Sequence, residues 1–185
     1  QMMKLRIAKA KNVSVAERNL VAKWVKKCLK ELAKKDYEIA DNFDGWREAF
    51  IAGREKPIKY ADMIDNIDVY CKGSGQVSNG GCYKINIDIK MAHREAKVGK
   101  FHEYKAFEND PVIGAFKTND VEAVIAATVA HEVAHHVQYR YGPCTRWLKK
   151  SYKRPHGDGF KDIYRILRAR VVNPVFLNND VKEAA

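Results

Sequence analysis

Cysteine is scarce in this chain of 185 residues, with only Cys28, Cys71, Cys82 and Cys144. No two form a CxxC pair, which excludes a zinc ribbon or finger of ordinary spacing, and four are too few for a disulfide scaffold. They read as buried thiols of a cytoplasmic protein, although Cys71 and Cys82 flank one loop and can meet across a hairpin. There is no long hydrophobic run. The most apolar stretch, Ala123–Ala130 with Thr128 inside it, is far too short to cross a bilayer. The first residues, Gln1 to Arg6, lack the apolar stretch of a secretory signal. The expectation is a cytoplasmic chain without membrane contact, with association to the nucleoid compatible. Repeats and low-complexity linkers are also missing.

Acidic residues are in deficit, 23 against 34 Lys and Arg, for a formal charge of +11. A balance this basic points to a polyanionic partner, nucleic acid first. With 46 % hydrophobic and 31 % charged residues, the composition is that of a globular protein rather than a disordered one. The length suits one domain with a real core.

The hydrophobic period divides the chain. A helix is predicted from about Ser14 to Lys35, with Ser14 and Glu17 as a capping box and Val21, Trp24, Val25, Cys28, Leu29 and Leu32 on one face. A short second helix is predicted from Asp44, with Trp46, Ala49 and Phe50 inward and Gly53 at its end. Ile67, Val69 and Cys71 then alternate with polar residues, and so do Tyr83, Ile85, Ile87 and Ile89 after a Gly-rich stretch. Period two predicts two half-buried strands, expected to pair antiparallel. Residues 91–118 show no clear period and are expected to be loop or irregular strand. A long helix is predicted from Asn119, its expected cap, to about Arg140. Its apolar residues, from Val121 to Val137, spread around most of the circumference, as in a buried central helix. A last helix is predicted from Asp158, burying Phe160, Ile163 and Leu167 and ending before Asn173-Pro174. The order of elements is α+β.

The chemistry lies inside the central helix, at His131-Glu132-Val133-Ala134-His135. Residues four apart share one helix face, so His131 and His135 can hold one metal ion through their imidazoles. Glu132 is turned by about 100° from His131 and can take a proton from a water on that metal without itself ligating. Zinc, hydrolysis of an amide, and Glu132 as general base account together for the residue types and their spacing. His136 lies about 100° from His135 and reads as a supporting or surface residue.

A catalytic zinc needs a third protein ligand. The pattern HExxHxxGxxH fails, because Gln138 and Tyr141 stand where Gly and His are required. A downstream Glu ligand also fails, since after Glu132 only Glu183 remains. His156 is the leading candidate, with Asp158 and Asp162 behind it, Asp158 reading more simply as a helix cap. His93 and His102 read as surface or loop residues. Tyr152, Tyr141 and Arg140 are candidates to stabilise an oxyanion. The strand from Tyr83 to Ile89 is a candidate edge for pairing with an extended substrate.

His131-Glu132-Val133-Ala134-His135, together with His156-Gly157-Asp158-Gly159-Phe160 and the strand Gly81-Cys82-Tyr83-Lys84-Ile85-Asn86-Ile87, resembles the SprT-like (Spartan-type) zinc metallopeptidases over about Ile64 to Leu167. The resemblance implies a zincin-like α+β fold, a small antiparallel sheet packed on the HExxH helix with flanking helices. It implies one domain over 1–185, with a helical part at 1–60 and a catalytic core at 64–172. It further implies His131, His135 and His156 as zinc ligands, Glu132 as general base, and endopeptidase activity on proteins bound or crosslinked to DNA, in the service of DNA repair. The Cys-rich zinc ribbon frequent in that family is absent, as only Cys144 follows the central helix.

Local charge agrees with a nucleic-acid partner. Between Arg140 and Arg170 stand ten Lys and Arg against Asp158 and Asp162. Arg146, Trp147, Lys149, Lys150, Lys153, Arg154, Arg165 and Arg168 are the candidate contacts, with Tyr141, Tyr152 and Tyr164 interleaved as stacking groups for a single strand. Two other readings remain open at this level. One is a regulatory protease cutting a single partner such as a repressor. The other is a non-catalytic, zinc-stabilised nucleic-acid-binding module.

Overall fold

In the computed structural model the described residues are 5–8, 11–33, 59–141 and 154–177. They fold as a mixed α+β structure, as the element order predicts. The helix expected from Asp44 lies outside the described residues, as do Gly142 and Pro143, the expected stop of the central helix. No helix among the described residues is long and apolar enough to cross a membrane.

After strand β1 (Arg6–Ala8), helix α1 spans Val15–Leu32. The Ser14 side chain accepts from the Glu17 backbone N–H, and the Glu17 carboxylate accepts from that of Ser14. Two N–H groups that the helix leaves unpaired are thereby satisfied. Val21, Trp24, Val25, Cys28, Leu29 and Leu32 are all buried, as their spacing predicts.

Helix α2 (Tyr60–Asp65) leads into β2 (Asp68–Lys72), β3 (Asn79–Gly80) and β4 (Lys84–Asp88). The sheet order is β1-β2-β4-β3. The expected antiparallel hairpin is corrected here: β2 and β4 run parallel, with Val69 opposite Ile85 and Cys71 opposite Ile87. Only β3 is antiparallel to β4. Alternation identifies the buried face of a strand but is the same for either direction. It is the link 73–83 that carries the chain back and lays β3 on the outer edge. Cys28, Cys71 and Cys82 are free thiols, Cys28 and Cys71 buried in the core and Cys82 half-buried. Burial pushes the Cys71 thiol up to about 11 and the Cys28 thiol upward as well, so both behave as apolar core groups.

A second correction concerns residues 91–118. Strand β4 hands over directly to helix α3 (Ile89–Val98), closed by Gly99 at φ +91°. A left-handed residue is needed there, and Gly adopts that conformation without strain. The helix buries only Ile89, Ala92 and Ala96, too small a face to signal a period. Strand β5 (Lys100–Phe101), a 3-10 turn (Lys105–Phe107) and β6 (Phe116–Lys117) follow, with β5 and β6 antiparallel.

Helix α4 (Val121–Tyr141) is the centre of the fold. It packs against α1, α3, β3 and β4, and against the next helix, α5 (Asp158–Leu167). Contacts on every side explain why its apolar residues run all round it. Its cap is Asp120 rather than Asn119. The Asp120 carboxylate accepts from the Glu122 N–H, while the Asn119 amide donates to the Ala96 carbonyl. Glu122 instead receives Lys23 Nζ and Trp24 Nε1 from α1. Phe160, Ile163 and Leu167 of α5 are buried as predicted, but the helix does not stop before Asn173-Pro174. It continues through a π-helical turn (Arg168–Val172) into α6 (Asn173–Phe176), where Pro174 stands in the first turn and no N–H is required of it.

The junction of sheet and helix depends on Asp88. Its carboxylate accepts from Ser74 Oγ at 2.6 Å, Met91 N at 2.9 Å, and Gly75 and Gln76 N at 3.1 Å each. Burial pushes this carboxyl upward, but the hydrogen bonds outweigh it and hold it below its usual 3.8. Its stabilisation is therefore complete above that value and is lost as pH falls through the depressed folded value. Asp88→Ala should lower unfolding free energy by about 2–4 kcal/mol in urea titrations at neutral pH, with the gap to wild type narrowing in acid.

Candidate functional site

The 3.6-residue turn of α4 puts His131 and His135 on one face, and the loop entering α5 brings His156 to meet them. His156 Nε2 lies 2.9 Å from His131 Nε2 and 3.0 Å from His135 Nε2. One ligand atom from each residue falls within 4.8 Å of the others, so the three can hold a metal ion. The donor chemistry fits one. A single proton can bridge only one pair of ring nitrogens, whereas a cation at their centre satisfies all three. Burial and the neighbouring imidazoles drive His135 down to about 3 and His156 to about 4, which keeps both rings in the neutral, ligating form. His156 adopts φ +59°, a left-handed conformation uncommon for a side-chain-bearing residue and found where function demands it. Its ring stacks on Tyr104 at 4.1 Å.

Behind His131 lies a buried chain of polar groups. His131 Nδ1 donates to Glu103 Oε1 at 2.8 Å, and the Glu103 side chain is 1 % exposed. Glu103 Oε2 accepts from the Tyr164 hydroxyl, which in turn accepts from Arg168 Nη1 at 2.9 Å. Arg168 also donates to the Gly114 carbonyl and the Asn173 side chain, and its guanidinium lies among the rings of Phe101, Phe116 and Tyr164. Burial disfavours a charged His131, but the Glu103 carboxylate outweighs it and holds the ring above its usual 6.5. A carboxylate on Nδ1 fixes the tautomer that leaves Nε2 facing the other two rings.

Glu132 points into the same site. Its Oε2 is buried with no hydrogen-bond partner. Burial, partly offset by His131, pushes its carboxyl from 4.5 up to about 7. A carboxyl in that range can both take and return a proton near neutrality. The neighbouring strand comes very close. A Cβ at Gly80 would stand 2.3 Å from the Glu132 carbonyl oxygen, so β3 can lie against α4 only with glycine there.

His131, Glu132, His135 and His156 are thus brought together as expected. Asp158 and Asp162 are not part of the cluster, and Asp158 does not cap α5, whose N-cap is Gly157. His93 is an exposed partner of Glu17, and His102 is an exposed partner of Glu95 at the rim of the adjoining cavity. His136 is fully buried rather than superficial, with Nδ1 on the Gly81 carbonyl. Arg140 lies on Asn66 and the Tyr83 ring, and Tyr141 meets His136 edge-on. Neither lines the cavity beside the three histidines; Tyr104 does. The expected substrate edge is also moved: β4 is flanked by β2 and β3, and among the described residues the edge strand on the side of β4 is β3, with β1 at the opposite edge.

The expected nucleic-acid contacts change most. Arg168 is 1 % exposed and belongs to the buried chain behind His131. Tyr164 is fully buried, and Arg165 is paired with Asp110 at 3.0 Å. Arg154 is exposed. Arg146, Trp147, Lys149, Lys150, Tyr152 and Lys153 lie outside the described residues, as does Cys144.

No family model, curated protein or solved structure matches this chain. Glu103 and Tyr104 could not be found in advance, because they sit in a segment without period. An acidic residue beside an aromatic one is no signal on its own.

The chain behind His131 has a measurable consequence. Glu103→Gln should weaken metal binding at the three histidines by about 10- to 100-fold in a chelator-competition titration with added Zn2+ as the probe, while far-UV circular dichroism stays close to wild type.

Proposed function

We propose that this protein is a zinc-dependent endopeptidase of SprT-like type, with a zincin-like fold, acting on DNA-associated or DNA-crosslinked proteins. The observation that carries the reading is the convergence of three imidazoles beside a buried carboxylate without a partner. A purely structural metal site has no evident use for that carboxylate. Zinc at the three histidines would supply Lewis acidity toward a water and the scissile carbonyl. The remaining work falls to the chain. Glu132 Oε2 takes the proton of the attacking water and returns it to the leaving amide nitrogen. Glu103 holds His131 in one tautomer and one orientation, and Tyr104 holds His156 by stacking.

The nucleic-acid half of the proposal rests on charge. The excess of eleven positive charges suits a phosphate backbone, and Arg154 stands exposed two residues before His156. Contact between polyanion and protease would then be made next to the third ligand.

The test is cleavage of a DNA-binding protein by the zinc-loaded chain, with and without single-stranded DNA. Cleavage stimulated by DNA and weakened by added salt is expected. Glu132→Ala should retain its zinc and lose about 10²- to 10⁴-fold in rate. An active Glu132→Ala protein would overturn the peptidase reading. Glu132-dependent cleavage indifferent to DNA would overturn the nucleic-acid half alone.

A further inference from the structure

Eight large apolar side chains among the described residues are well exposed, and three of them stand around one cavity. These are Val77 at 75 %, Val98 at 69 % and Tyr104 at 48 % exposure. The cavity, of about 440 Å³, reaches to His131, Glu132 and His156 at one end. Met91, Ala92 and Phe101 complete its apolar wall. Apolar surface gathered in a hollow beside reactive groups marks a binding site, whereas the same residues scattered singly would mark nothing.

Away from Glu132 and the histidines at its reactive end, the charged groups around this cavity are already engaged. Asp88 is held by the four donors described above. The Glu95 carboxylate accepts from His102 N at 2.8 Å and meets His102 Nδ1 at 3.0 Å. Glu103 is bound by His131 and Tyr164. Arg94 reaches the Gly75 carbonyl. Apart from Glu132, which stands at the reactive end beside His131 and His156, no carboxylate on this wall is left to receive a Lys or Arg side chain, so a basic occupant of the apolar part would be buried without a partner.

We propose that the cavity takes one apolar side chain of the polypeptide substrate, of the Leu, Met or Phe class, from the residue flanking the bond that is cut. This rests on the peptidase reading and adds a specificity to it. Val98 is the residue that sets this preference. It is the last residue of α3, exposed, and so replaceable without disturbing the core. Arginine there also suits the C-terminal end of a helix.

Two measurements test the proposal. In the first, the zinc-loaded chain and its Val98→Arg variant digest a peptide library, and the cut sites are read by mass spectrometry. Leu, Met and Phe should be enriched at one position flanking the cut. Val98→Arg should lower kcat/KM for such peptides by about tenfold or more and raise the share cut at Asp or Glu in that position. Cleavage with no preference there, or a preference that Val98→Arg leaves unchanged, overturns the cavity assignment and leaves the peptidase reading standing. The second measurement needs no catalysis. The Met91 methyl resonance of the Glu132→Gln chain is followed against an acetylated peptide amide with a central Leu, and against the same peptide with Lys. A shift with the Leu peptide alone supports the assignment even if no cleavage is ever seen. Equal shifts, or none with the Leu peptide, overturn it.

Discussion

Two imidazoles and a carboxylate must be accommodated in a helix packed against other elements on every side, and most of the molecule follows from meeting that demand. Helix α4 is enclosed by α1, α3, α5 and the sheet. Unpaired polar groups in such a place would each cost several kcal/mol. The fold answers with His156 from one side and Glu103 from another, so that His131 and His135 meet partners suited to them. Only the Glu132 oxygen and His135 Nδ1 are left without a hydrogen bond in this cluster. A buried atom left in that condition is where chemistry is to be sought.

Support for the site comes from parts of the chain far apart in sequence. Glu103 follows β5, Tyr164 belongs to α5, and Arg168 opens the π-helical turn beyond it. A π-helical turn is seldom formed without a local reason. Here Arg168, at its start, extends to Gly114, Asn173 and Tyr164 at once. Such a network is worth more fully satisfied than in part, because every member sits in a medium that punishes a missing partner.

Helices were legible in the sequence where their faces were large. Trp24 and Leu29 on α1, and the valines and alanines of α4, announce their burial by spacing alone. The small face of α3, two alanines and one isoleucine, announces nothing. The strands were legible as strands but not in direction, since pairing depends on where the connecting chain runs. At the site, the HExxH spacing and a lone downstream histidine led to the three converging rings. Arg168 departs from its expected place on a nucleic-acid surface, an expectation that arises because ten basic residues in one segment look like a charged surface. Its guanidinium is instead an internal donor among three aromatic rings, an arrangement that only tertiary packing decides. Glu103 carries no mark in the sequence that separates it from the other glutamates.

His156 arrives from a different stretch of chain than the helix it completes, 21 residues beyond His135. A metal held by both would therefore be a cross-link as well as a reagent. It would close a loop that includes the most basic part of the chain and remove freedom from the unfolded state, as a disulfide does, by about 3 kcal/mol for a loop of this length. The strained backbone at His156 would be held by that closure. Loss of the ion would then loosen the docking of α5 along with the reactive centre, making the supply of metal a control on the shape of this protein.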